Sequence, residues 1–212
     1  MKGVMDTGGG MRAVYGAGVF DCFLDEGVEF GYCIGVSAGS ANIASFLAGQ
    51  RGRNYRFFTK YSGRREYMSF SNYLRKGSYI DLHYIYTTLT NTGGEDPIDF
   101  EVFGRSESVF VAVATDAATG QAHYFTNGDL NSNDCGVLKT SCAIPFVCQP
   151  VERYGRRYFD GGVADPVPVK KALVDGCETI VAILSRPAGE EKLPERGAPF
   201  HHRLLKKYPA VA

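Results

Sequence analysis

Apolar residues fall into short continuous runs punctuated by glycine, with helical spacing between the first two runs. Residues 3–7 (Gly-Val-Met-Asp-Thr) form a strand candidate that runs straight into Gly8-Gly9-Gly10. Residues 11–26 then carry a helical pattern, with Val14, Ala17, Gly18, Cys22 and Leu24 on the predicted inner face and Gly27 ending it. The next apolar run, Tyr32-Cys33-Ile34-Gly35-Val36, meets Ser37, and an Ala- and Ser-rich helix follows to about Gly49. Strand, loop, helix and strand predict a βαβ unit with parallel strands and a right-handed crossover.

Further on, residues 108–115 read as a buried strand, and His123-Tyr124-Phe125 as its antiparallel partner across the turn at 116–120. A short helix at 134–143 ends before Pro145, and a hairpin over 149–159 delivers Asp160-Gly161-Gly162. Asp165-Pro166 has the form of an N-cap and first-turn proline, predicting a helix to Gly176 with Val169, Ala172, Leu173 and Val174 inward. Residues 179–184 are a further buried strand. The irregular stretch 80–100, with its Asn91-Thr92-Gly93-Gly94 turn, is expected to cap or cover the substrate. Beyond Pro187 the chain is charged and rich in Gly and Pro, and 201–208 reads as a short basic helix.

Composition narrows the function classes. The 212 residues suit one domain, and no internal repeat is visible. A formal net charge of zero argues against a globally basic nucleic-acid binder. No apolar run reaches transmembrane length and the start lacks a signal-peptide core, so the chain reads as soluble and cytoplasmic. Six cysteines lie scattered without C-x-x-C spacing, which predicts reduced core residues and no metal site. One segment departs from the neutral balance. Residues 51–76 hold eight basic side chains against one acidic, Glu66, interleaved with seven aromatics. A solvated helix with an aromatic inner face, peripheral contact with an anionic membrane surface, and single-stranded nucleic acid all fit that mixture, nucleic acid least well.

Candidate chemistry centres on Gly35-Val36-Ser37-Ala38-Gly39. G-x-S-x-G is the form of a nucleophile elbow, where a strand turns sharply into a helix and presents the serine hydroxyl. Side chains at Gly35 or Gly39 would collide with neighbouring backbone or block an approaching carbonyl. The upstream loop admits two readings. Gly8-x-Gly10-x-x-Ala13 fits a dinucleotide fingerprint, but the acidic residue expected at the tip of the second strand is replaced by Ser37. The same free N–H groups would serve as an oxyanion hole beside that serine, which is the better fit.

A serine hydroxyl needs a base. Four histidines are present, and His201 or His202 would nominally complete a Ser, acid, His order. That fold reaches its elbow after several strands, whereas Ser37 follows one, so the histidines read as structural or solvated. Asp160, held on an open turn by two glycines, is the better candidate. Thr115 and Asp116 could line the site, with a turn role favoured for Asp116.

The glycine loop, the early G-x-S-x-G and the late D-G-G, in this order, resemble the patatin-like phospholipase family over roughly residues 3–185. The matching positions are Gly8-Gly9-Gly10-Met11-Arg12, Gly35 to Gly39 and Asp160-Gly161-Gly162. Ser141-Cys142-Ala143-Ile144-Pro145 looks like the helix end that approaches the site in relatives. The resemblance implies a three-layer α/β/α fold with a mostly parallel sheet and a Ser37–Asp160 dyad without histidine. It also implies an oxyanion hole at Gly8, Gly9 and Gly10 braced by Arg12, a lipid ester substrate, and no metal or cofactor. Ala13 departs from the glycine that many relatives carry. Bacterial members usually continue past the point where this chain ends, so residues 1–212 are expected to be one domain lacking its C-terminal end. A soluble carboxylesterase or thioesterase, a non-catalytic lipid-binding module, and nucleotide binding at the glycine loop remain the alternatives.

Overall fold

A seven-stranded sheet organises the chain, in the order β5-β6-β3-β2-β1-β7 with β4 paired to β3. The computed structural model describes residues 1–187 and 207–211. The strands are β1 (Lys2–Asp6), β2 (Tyr32–Val36), β3 (Val109–Asp116), β4 (Ala122–Thr126), β5 (Val151–Arg153), β6 (Arg156–Asp160) and β7 (Thr179–Ile183). β7, β1, β2 and β3 run parallel, while β4, β5 and β6 add antiparallel pairs. Parallel strands covered on both faces bury nearly every side chain, which is why β2 and most of β3 read as continuous apolar runs and even Asp6 at the end of β1 is buried.

Alternation along those strands feeds two cores. Val4, Cys33, Phe110, Ala112 and Ala114 face a large helical layer, and Met5, Ile34, Val36, Val111 and Val113 face the other side. The large layer holds α1 (Val14–Asp25), α2 (Ala38–Leu47), α3 (Arg53–Arg56) running into a π-helical turn at Phe57–Tyr61, α5 (Phe100–Arg105) and α6 (Gly136–Ser141). α7 (Val169–Val174) covers the opposite face through Ala172. The arrangement is the three-layer α/β/α expected from the sequence.

Four local expectations need correction. The inner face of α1 is Gly16, Ala17 and Phe20, continuing from Ala13 in the turn before it, with Val14, Gly18 and Cys22 turned outward. A 3-10 turn at Gly10–Ala13 precedes the helix and shifts the phase of its pattern. Stretch 80–100 is core rather than cover: Leu82, Ile85, Tyr86, Leu89 and Ile98 are buried in the large layer. A π-helical turn at Tyr84–Thr88 breaks the 3.6-residue spacing that would have revealed it. α7 starts after Pro168, because each proline disfavours helix in the residue before it, and its Leu173 and Val174 are exposed. Among the described residues β7 is an edge strand, paired with β1 alone and buried fully only at Ile183. Of the cysteines, five are buried and Cys22 is exposed. His201, His202 and most of the expected basic helix lie outside the described residues.

Candidate active site

The register of β3 brings Ser37 and Asp160 together. One edge of β3 pairs first with β2, where Val36 lies opposite Val113, and then with the end of β6, where Asp160 lies opposite Ala114. β4 occupies the other edge over residues 111–115. β2 and β6 therefore approach each other end to end along one line, and the residue after Val36 meets the last residue of β6.

Ser37 sits at φ 56° and ψ −133°, a strained conformation for a residue with a side chain. Its surroundings hold it there. Ser37 N–H donates to the buried Ser141 Oγ at 2.9 Å, and Ser37 C=O accepts from Ser40 Oγ at 2.7 Å and from Ser40 N at 3.0 Å. The flanking glycines are compulsory because a Cβ on Gly35 would lie 2.5 Å from Ser40 Cα, and one on Gly39 2.3 Å from the carbonyl oxygen of Asp6.

Asp160 is 6% exposed and anchored from three sides. Its N–H donates to Ala143 C=O at 2.9 Å, its C=O accepts from Thr115 Oγ1 at 2.7 Å, and its Oδ1 accepts from Gly162 N–H at 2.8 Å. Oδ2 is buried without a well-formed hydrogen bond. Burial pushes the Asp160 carboxyl up to about 6, with the adjacent Ser37 hydroxyl and the Gly162 N–H pulling it back. The serine is thus close enough to act on the carboxyl while their contact falls short of good geometry, as is common before substrate tightens a site. Gly161 packs against β3, where a Cβ would lie 2.3 Å from Val113 C=O.

Gly8, Gly9 and Gly10 all have positive φ, a backbone that side chains rarely adopt, and Gly8 N–H is held by Asp6. Gly8 presses on the elbow: a Cβ there would come 2.3 Å from Val36 C=O. Among the described residues nothing accepts from the N–H of Gly9 or Gly10. Arg12 closes the turn through its N–H to Gly9 C=O at 3.3 Å, and its side chain is exposed beside Gly9.

Asp6 ties loop and elbow together, a role with no local signature in the sequence. Its Oδ1 accepts from Gly8 N–H and its Oδ2 from Asn42 Nδ2, both at 2.9 Å, and the same Asn42 amide donates to Ala13 C=O. Burial raises the Asp6 carboxyl to about 6 against those bonds. Ser185, beyond β7, packs on Gly9 from the other side. Asp116 keeps to the turn, accepting from Ala118 and Thr119 N–H and pairing with Arg156. His83 is exposed, and His123 packs against Phe125 and Tyr158. Most cations of the basic segment are paired within the chain: Arg51 with Asp25, Arg53 and Arg56 with Asp96, Lys60 and Arg64 with Glu95, and Lys76 with Asp81. Among the described residues no helix is long and apolar enough to cross a membrane.

A family model described as patatin-like phospholipase matches residues 7–173. The uncharacterized protein YjjU of Escherichia coli K12 is 31% identical over 186 residues, 85% of this chain and 51% of that protein. Uncharacterized NTE family proteins of Mycobacterium bovis and Mycobacterium tuberculosis are 36% identical over 89 residues, 42% of this chain and 23% of theirs. The match spans about half the length of YjjU, and the shorter mycobacterial match under a quarter of those proteins.

Proposed function

The chain belongs to the patatin-like phospholipase family, and from that premise we propose that it is a serine acyl hydrolase that cleaves lipid esters through Ser37 and Asp160. The observation that carries the reading is the meeting of a strained serine with a buried carboxylate that leaves one oxygen, Oδ2, without a well-formed hydrogen bond. In this reading Ser37 Oγ attacks the ester carbonyl carbon as Asp160 takes its proton. The N–H groups of Gly9 and Gly10 receive the charge that develops on the carbonyl oxygen, with Gly8 and Arg12 holding their loop in shape. Asp160 returns the proton to the departing alcohol, leaving an acyl group on Ser37. A water that gives its proton to the same carboxylate then attacks the acyl carbon, and Asp160 passes that proton to Ser37 Oγ as the fatty acid leaves. A carboxyl raised to about 6 makes a stronger base than an ordinary carboxylate and is still ionised at neutral pH, which suits a dyad without histidine.

A fluorophosphonate probe and a short p-nitrophenyl ester test the reading. The folded chain should label at Ser37 and turn over the ester, and both Ser37→Ala and Asp160→Asn should lose turnover by at least about a thousandfold. Turnover surviving both substitutions would exclude the dyad. Failure of the folded protein to label would favour a binding module that keeps the elbow only as architecture.

A further inference from the structure

The fold divides the basic, aromatic segment 51–76 into two parts. Up to Arg64 its cations are paired within the chain, and Phe57, Tyr61 and Tyr67 are buried in the large core. The second part is different. α4 (Phe70–Lys76) turns its polar side inward and its apolar side out. Asn72 is its buried residue, donating from Nδ2 to the carbonyls of Arg65 and Glu66 at 3.2 and 3.1 Å. Phe70, Tyr73 and Leu74 are 67%, 42% and 71% exposed, with the two rings stacked 6.2 Å apart. At about 100° per residue these three share one stripe opposite Asn72, and Arg75 and Lys76, both exposed at the C-terminal end of the helix, lie to either side of Asn72. Lys76 pairs with Asp81, while among the described residues Arg75 bonds only to Ser71 of its own helix.

α4 is also tied to the candidate site through the backbone that follows it. Gln149 Nε2 donates to Gly77 C=O at 3.1 Å, Gln149 N–H to Ser78 Oγ at 2.9 Å, and Tyr79 N–H to Val147 C=O at 2.7 Å. That 144–149 loop leaves Ala143, whose carbonyl accepts from Asp160 N–H at 2.9 Å. A short run of backbone therefore links the exposed stripe to the candidate base.

We infer that α4 is a docking element that seats the chain on an anionic lipid bilayer. Phe70, Tyr73 and Leu74 enter the boundary between head groups and acyl chains, and Arg75 and Lys76, on long side chains at the exposed C-terminal end, extend back to head-group phosphates. These two exposed cations and the absence of any acidic residue on α4 select an anionic surface. The inference rests on the lipid-ester reading only for the substrate that docking would bring to Ser37.

Full-length Ser37→Ala protein, which cannot consume the vesicles, is sedimented with vesicles of phosphatidylcholine alone or mixed with phosphatidylglycerol. It should bind the mixed vesicles more tightly. Adding Phe70→Ser and Leu74→Ser should weaken partitioning to both by at least about tenfold. Arg75→Ala should weaken it about fivefold, on the mixed vesicles only. In the chain with Ser37 intact, these α4 substitutions should leave soluble p-nitrophenyl ester turnover unchanged, which verifies folding. Undiminished vesicle binding by the Phe70→Ser, Leu74→Ser variant overturns the inference, as does failure of the parent to bind either vesicle. A dimer that this variant abolishes, without vesicle binding by the parent, would assign the stripe to a second copy of the chain instead. Absence of ester turnover by the Ser37 chain bears on the hydrolase reading alone, because vesicle binding is scored without it.

Discussion

Asp160→Asn should make the protein inactive and, above neutral pH, more stable. In the folded chain burial lifts the Asp160 carboxyl from 3.8 to about 6, and each pH unit of such a rise corresponds to about 1.4 kcal/mol, so the ionised group opposes folding by about 3 kcal/mol. The sign follows from proton counts. Well below pH 4 the carboxyl is neutral in both folded and unfolded chains and contributes nothing. As pH rises toward 6 the folded chain still holds a proton that the unfolded chain has released, so wild-type stability falls; above that range the full cost is present. Asparagine does not titrate, and its amide oxygen can still accept from Gly162 N–H, the bond that now holds Oδ1. Asp6 is raised similarly but titrates in both proteins and cancels from the comparison. Urea denaturation of wild type and variant near pH 4 and near pH 8 gives two stability differences, and the variant should gain about 2–3 kcal/mol between them. A difference that does not change with pH, or one that moves in favour of wild type as pH rises, refutes the argument that burial sets the carboxyl.

Other outcomes follow from the same geometry. With Asp160 as base, kcat/KM for a neutral ester should climb with unit slope as pH rises to about 6 and then level off; a flat profile across that range would exclude a base with this ionisation. Gly10→Ala and Gly39→Ala should differ sharply, which soluble yield and thermal melting can check. A methyl on Gly10 would meet no atom within 4 Å and would strain only its positive φ, by about 1–2 kcal/mol, whereas Gly39 would drive a methyl into Asp6 C=O and should prevent folding. Asp96→Asn should destabilise by about 3–5 kcal/mol in denaturant titration. Asp96 accepts from Arg56 and Tyr61 and neutralises Arg53, which is 3% exposed and has no other carboxylate partner among the described residues.

Local signals were sufficient for much of this protein. Continuous apolar runs marked β2 and β3 because strands buried on both faces have no solvent side to alternate toward. Gly8-Gly9-Gly10, Gly35-x-Ser37-x-Gly39 and Asp160-Gly161-Gly162 were legible because tight turns admit few residue types. Patterns failed where helices left ideal geometry, as at the 3-10 start of α1 and the π-helical turn inside 80–100. They also failed at α4, whose Phe70, Tyr73 and Leu74 have the spacing of a core face and lie in solvent. What lay wholly beyond the sequence was convergence. Asp6, Asn42 and Ser185 carry no motif, and Thr115 and Ser141, though marked near the site in the sequence, gave no hint of their partners, which are set by strand register and helix packing between distant segments. The end-to-end approach of β2 and β6 along one edge of β3, the burial that raises Asp160, and its place beside Ser37 are all products of that register. The sequence could nominate a serine and a carboxylate, but their separation along the chain says nothing of distance; only the assembled sheet, by fixing which backbone bonds to which, decided that they meet.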